Sequence, residues 1–103
     1  MISFEEFALL FESANDDSEF EIYFHDEEDR YMIIKYDDHV SIQRCDVYDG
    51  SGEYEYPSLL ELYQSVTVDD ICLKEQWDTI ETIIADACYD LSLPEELEAF
   101  KDL

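Results

Sequence analysis

"SEFEIYFHDEEDRYMIIKYDDHVSIQ", residues 18–43, decides how this chain folds. Phe20, Ile22 and Phe24 alternate with Glu19, Glu21, Tyr23 and His25, the period of a strand with one buried and one wet face. Met32, Ile34 and Tyr36 alternate with Tyr31, Ile33 and Lys35, a second strand apolar on both sides and therefore central. Val40 and Ile42 extend the pattern to a third strand. Its phase then shifts towards Cys45 and Val47, which predicts a bulge near Gln43 and Arg44. The joints lack the Gly or Asn that tight turns favour for their tolerance of positive φ. They carry Asp26, Glu27, Glu28 and Asp29, and then Asp37 and Asp38. Like charges stacked at a turn repel, so their presence asks for a reason.

Helix signals flank this region. Ser3 to Glu6, Ser58 to Glu61 and Ser92 to Glu95 each match a capping box, in which the serine oxygen takes an orphan N–H and the glutamate reaches back. The first opens "SFEEFALLFESAN", with Phe4, Phe7, Leu10 or Phe11, and Ala14 at helical spacing. The second opens "SLLELYQSV" and the third "SLPEELEAFKDL", where Pro94 falls in the first turn and its missing N–H costs nothing. Ser18 to Glu21 matches the same pattern, but the alternation after it argues for a strand. From Leu73 to Cys88 the residues Leu73, Trp77, Ile80, Ile84 and Cys88 form a helical stripe, with Asp69 or Asp70 as its cap. "EYEY", residues 53–56, leaves room for a short fourth edge strand after the Gly-bearing turn "DGSG". The expected fold is a single α+β domain over residues 1–103 with order αβββααα. Its three-stranded antiparallel meander carries one N-terminal and two or three C-terminal helices on one face.

Composition separates a folded acidic protein from a disordered one. The chain has 29 acidic and 5 basic residues, a formal charge of −24. Disorder also needs low hydrophobicity, and here 47% of residues are apolar and 15% aromatic, enough for one core. Solubility needs a net charge of only about 2–8, and the excess weakens the compact state. A basic protein partner is the candidate explanation, and an acidic cytosolic or halophilic surface is the alternative. Direct binding to nucleic acid or an anionic membrane needs a basic patch that the chain lacks. Cys45, Cys72 and Cys88 are too few and scattered for a disulfide framework, and no C-x-x-C pair suggests zinc. No signal peptide or bilayer-spanning run is legible, so a reduced cytoplasmic protein is expected.

Enzyme readings find little support. His25 and His39 stand beside acids at strand ends, where solvated histidines are ordinary. A Cys45–His39 nucleophile would need a proximity that spacing does not give. Carboxylate pairs are too abundant here to mark an acid–base site. "DVYDGSGEYE", Asp46 to Glu55, has a cation loop's composition, but Val47 and Tyr48 break the alternate-ligand spacing. No catalytic residue, metal or cofactor is assigned.

The acids do suit a surface that imitates nucleic acid. Duplex DNA carries one charge per roughly 1.7 Å of axis, so the formal charge matches about 12 base pairs. Residues i and i+2 on a strand face lie about 6.8 Å apart, which gives Glu19 with Glu21, and Glu53 with Glu55, a phosphate-like pitch. Asp78 with Glu81 or Glu75 would match at about 5–6 Å on a helix. Tyrosines interleave with the acids and supply rigid amphipathic contact area. The expected partner-binding residues are Glu19, Glu21, Tyr23, Asp26, Glu27, Glu28, Asp29, Tyr31, Asp37, Asp38, Tyr48, Asp49, Glu53, Tyr54 and Glu55.

In element order and charge the chain resembles the small acidic phage-encoded anti-CRISPR inhibitors. That resemblance implies a non-enzymatic DNA mimic, monomeric or homodimeric, in the host cytoplasm. It would occupy the basic nucleic-acid-binding cleft of a nuclease such as a type II CRISPR effector. Acidic immunity proteins against nuclease toxins are similar in size and charge. A phage structural or scaffold domain that binds a protein without mimicry is the remaining alternative.

Overall fold

The structure, a computed structural model, describes residues 2–25, 27–45 and 52–103. Helix α1 (Phe4–Ser13) leads into strands β1 (Glu19–Phe24), β2 (Arg30–Lys35), β3 (Val40–Arg44) and β4 (Tyr54–Tyr56). Helix α2 (Leu59–Gln64), a 3-10 turn (Val68–Asp70), helix α3 (Leu73–Gln76) and a second 3-10 turn (Trp77–Thr79) follow. The chain closes with β5 (Ile80–Ala85), β6 (Tyr89–Asp90) and α4 (Pro94–Lys101). The strands form one antiparallel sheet in the order β4-β3-β2-β1-β5-β6. No helix among the described residues is long and apolar enough to cross a membrane.

The predicted meander is therefore the middle of a larger sheet. Its three strands pair as expected, and β2 is central. "EYEY" does supply an edge strand, β4. The helix expected over residues 73–88 does not form. Helix α3 lasts four residues, and Ile80–Ala85 pairs with β1 instead. Two physical reasons override the stripe. Ile80, Thr82, Ile83 and Ile84 are β-branched and favour a pleated surface. The apolar β1 would otherwise expose its backbone as a sheet edge. A bulge breaks the strand's alternation: Phe24 pairs with Ile80 but Tyr23 with Thr82, so Glu81 is the extra residue, and Ile84, opposite Glu21, falls on the other face from Ile80. Ile80 and Ile83 thus both reach the buried face, 5% and 0% exposed. No bulge interrupts β3, whose pairing with β2 is regular from Val40 to Arg44.

At two of the three sites the serine half of the capping box forms. Ser3 Oγ accepts from the Glu6 N–H at 3.1 Å and Ser58 Oγ from the Glu61 N–H at 3.2 Å. At the third site Leu93 is the cap residue and Pro94 begins α4. Ser92 turns instead to Asp90, donating to its Oδ1 from both N–H and Oγ. Helix α3 is capped by neither Asp69 nor Asp70; the Gln76 side chain accepts from the Cys72 N–H at 2.8 Å.

One face of the sheet carries the core. Phe20, Ile22, Phe24, Tyr31, Ile33, Val40, Ile42, Ile83 and Ala85 point to it, and all four helices cover it. Phe7 and Phe11 of α1 meet Phe20, and Phe100 of α4 meets Phe20 from the other side. Lys35 caps α1 from outside. Its Nζ donates to the carbonyls of Glu12 at 2.9 Å and Ala14 at 2.7 Å, where the helix has unmatched acceptors.

The β5–β6 hairpin holds a local strain. Asp86 and Ala87 have φ of 51° and 57°, the pattern of a type I′ turn, which favours Gly at the second position. Left-handed φ costs a non-glycine residue roughly 1–2 kcal/mol. Ala87→Gly is expected to raise stability by about 0.5–1 kcal/mol after the extra chain entropy of glycine is subtracted. Urea unfolding of the two proteins measures the difference, and a lower midpoint for the variant would contradict the turn assignment.

Candidate functional site

The described helices pack on the core face and none lies on the second face of the sheet, although Ser41 within it is fully buried at 0% exposed. By register it carries two rows. Asp90, Ile84, Glu21, Met32 and Gln43 lie side by side across β6, β5, β1, β2 and β3. Glu19, Ile34, Ser41 and Glu55 lie side by side across β1, β2, β3 and β4. Glu19 and Glu55 are exposed, while Glu21, Met32, Ile34 and Ile84 are half-buried. Tyr23 and Arg30 face each other at the end of this surface, where β1 turns into β2.

Tyrosine hydroxyls hold several of the carboxylates. Tyr23 Oη donates to Glu21 Oε2 at 2.8 Å, and Arg30 Nε lies 3.7 Å from the same oxygen. The Glu21 bond keeps the Tyr23 hydroxyl protonated by raising its pKa, with burial adding to the effect. Tyr36 Oη donates to Glu53 at 3.1 Å, and burial first, then that bond, raises its pKa. A carboxylate fixed this way presents its remaining lone pairs in a defined direction.

The expected interface residues do not share one surface. Glu19, Glu21, Tyr23 and Glu55 share the uncovered face, with Glu53 held beside it by Tyr36. Glu27, Glu28 and Asp29 are exposed at the β1–β2 tip, and Asp37 and Asp38 at the β2–β3 turn. Tyr54 is 43% exposed at the β4 edge, where pairing with Ile42 puts it on the helix side. Tyr31 is a correction. It is 6% exposed on the core face, and its hydroxyl donates to Asp69 Oδ2 at 2.8 Å. Alternation with Met32 already placed it with Ile33, but the acids beside it in sequence suggested surface. Asp26, Tyr48 and Asp49 lie outside the described residues, as does most of the Asp46–Glu55 loop.

Other expected constellations fare differently. Glu75, Asp78 and Glu81 stand on α3, a 3-10 turn and a strand bulge, so no helix spaces them. His39 and Cys45 bracket β3, about 20 Å apart at a strand's rise per residue, too far for a nucleophile and its base. Among the described residues no group of three or more His, Cys, Asp or Glu is arranged to hold a metal ion. A polar cluster that sequence reasoning missed joins Asp69 to both Tyr31 and Arg44, whose Nη1 lies 3.3 Å away. Asp69 and Asp70 both have positive φ, 54° and 61°. The cluster ties the loop before α3 to the sheet. Only the aspartates' tolerance of left-handed backbone could have hinted at it.

Four of the five cationic side chains are engaged within the protein, and Lys74 on α3 is exposed. Arg30 meets Glu21, Arg44 meets Asp69 and Lys101 meets Glu98, while Lys35 serves the end of α1. The surface acids therefore keep most of their field.

His39 forms a titratable clasp. Its ring stacks on Tyr36 at 4.4 Å, Nδ1 lies 2.5 Å from Asp38 Oδ1, and Nε2 lies 3.7 Å from Glu55 on β4. The Asp38 bond raises the His39 pKa above its ordinary 6.5 and lowers that of Asp38 below 3.8. A raised histidine pKa stabilises the fold fully below 6.5, and the benefit fades as pH rises through the folded value. Stability should therefore fall between neutral and mildly alkaline pH in the parent but not in His39→Gln. Urea midpoints across that range measure this, and parallel curves would show that the clasp does not titrate there.

The chain matches no protein-family model, no curated protein and no solved structure.

Proposed function

We propose that this protein is a non-enzymatic inhibitor that occupies the basic nucleic-acid-binding cleft of a nuclease as a DNA mimic. The anti-CRISPR resemblance makes a type II CRISPR effector the first partner class to test. One observation carries the reading: carboxylates stand at phosphate-like spacing on β1, and Glu21 among them is held in place by Tyr23, with Arg30 the cation beside it. Glu19 and Glu21 are about 6.8 Å apart along β1, and Tyr23 orients the second of them. Arginine and lysine side chains built for phosphate pair equally well with carboxylate. The exposed tip at Glu27, Glu28 and Asp29 continues the same field beyond Tyr23 and Arg30. Self-repulsion weakens the free protein, and a cationic cleft relieves it.

The experiment is displacement of a labelled target duplex from purified type II CRISPR effectors, with nuclease toxin domains run alongside. Competitive displacement that weakens steeply with salt supports mimicry. Displacement only from a toxin nuclease moves the protein to the immunity class. A complex holding duplex and protein together rules mimicry out.

A further inference from the structure

We propose that the uncovered sheet face docks a basic, amphipathic helix of a partner protein. Its apolar stripe lies on Met32, Ile34 and Ile84, and an arginine reaches Glu21.

The face is neither a core nor an ordinary wet surface. A solvated sheet face normally alternates to polar residues, yet the centre of this one is Met32 and Ile34 on β2 and Ile84 on β5. Glu21 sits between Ile84 and Met32 in the same row. Its side chain is only 21% exposed, and both its contacts, from Tyr23 and Arg30, go to Oε2. Oε1 keeps its capacity to accept a charge-assisted hydrogen bond. Adjacent strands are about 4.8 Å apart, so Ile84 and Met32 are about 10 Å apart, close to the width of an α-helix with its side chains. In the next row Glu19 and Glu55 bracket Ile34 from two sides.

Charge selects the occupant. A second copy would set Glu19, Glu21 and Glu55 against their own equivalents, on chains of formal charge −24. A purely apolar partner would desolvate the acidic rim of Glu19 and Glu55 without supplying a counter-charge, which is costly. A helix whose leucine-like stripe is flanked by arginines satisfies both the apolar centre and the acidic rim. This inference rests on the proposed function only in expecting a basic protein partner; it does not require competition with DNA.

The test uses the full chain, isotope-labelled on backbone amides and on Ile and Met methyls. It is titrated with a synthetic helical peptide carrying a leucine stripe flanked by arginines. A shuffled isomer of identical composition, without the stripe, is the control. The expected result is binding at least about tenfold tighter for the striped peptide, a difference of about 1.4 kcal/mol. Its shifts should centre on β1, β2 and β5 and on the methyls of Met32, Ile34 and Ile84. Ile34→Glu adds a negative charge yet should reduce the striped peptide to the level of its isomer. Glu21→Gln should weaken it while Tyr23 keeps an acceptor. Equal affinity for the two peptides, shifts confined to the β1–β2 tip or the helices, tighter binding by Ile34→Glu, or no binding at all would overturn the proposal. No nuclease or DNA is present, so failure here leaves the duplex-displacement result standing, and the reverse also holds.

Discussion

Trp77→Ala is expected to destabilise the protein by about 3–5 kcal/mol, the range for truncating a buried aromatic to alanine. Trp77 is 8% exposed and joins three elements. Its ring meets Phe4 edge-on at 5.4 Å, Phe7 at 5.6 Å and Tyr63 at 6.1 Å, linking α1, α2 and the turn before β5. Its Nε1 also donates to the Ile2 carbonyl at 3.1 Å. A domain of this size has roughly 5–15 kcal/mol in total, so the variant should be marginal. Trp77→Phe keeps a ring but strands the Ile2 carbonyl, and should cost less than the alanine change. Urea unfolding followed by circular dichroism gives both values. A Trp77→Ala midpoint equal to the parent's would contradict the packing described.

Reversing the charge of Glu27, Glu28 and Asp29 to lysine should weaken partner binding by about a hundredfold or more. This is the scale of losing several charge-assisted contacts to a basic cleft. The same change at Glu95, Glu98 and Asp102 should have little effect. Each set replaces three acids by three lysines, so the net charge changes equally. What differs is position. The first set is exposed at the tip of β1 and β2, beside Tyr23, Arg30 and Glu21. The second lies on α4 and its C-cap, and α4 packs on the core face through Phe100. Displacement of labelled duplex from the partner measures both, and the salt slope should flatten only for the tip variant. Equal losses would reduce the effect to bulk charge.

Local rules account for the parts of the fold that were legible. Ser3 with Glu6 and Ser58 with Glu61 predicted two helix starts, because a cap involves residues three apart. Alternation in residues 18–43 predicted β1, β2 and β3 and the central place of β2, since side chains switch faces at every residue. It set Tyr31 on the same face as Ile33, yet the surrounding acids led to the expectation that Tyr31 joins Glu21 and Tyr23 at the surface, which the structure overturns. The third capping box failed because Leu93 takes the cap position, while Ser92 donates to Asp90 Oδ1 before the helix.

The sequence by itself determined a folded, acidic α+β chain with a buried aromatic core, and the identities of the acids that line its surface. Tertiary structure alone decided that Ile80–Ala85 is a strand, that the sheet has six strands, and which acids share a face. The reason is the range of the interactions involved. Leu73, Trp77, Ile80 and Ile84 satisfy a helical period as judged from neighbours, but Ile83 gains its partner from Ile22, far back in the chain. Such a contact must overcome loop-closure entropy before it stabilises anything, and no local pattern encodes it. Once β5 covers β1, Glu21 lies between Ile84 and Met32, and the surface proposed to bind a partner exists only through that pairing.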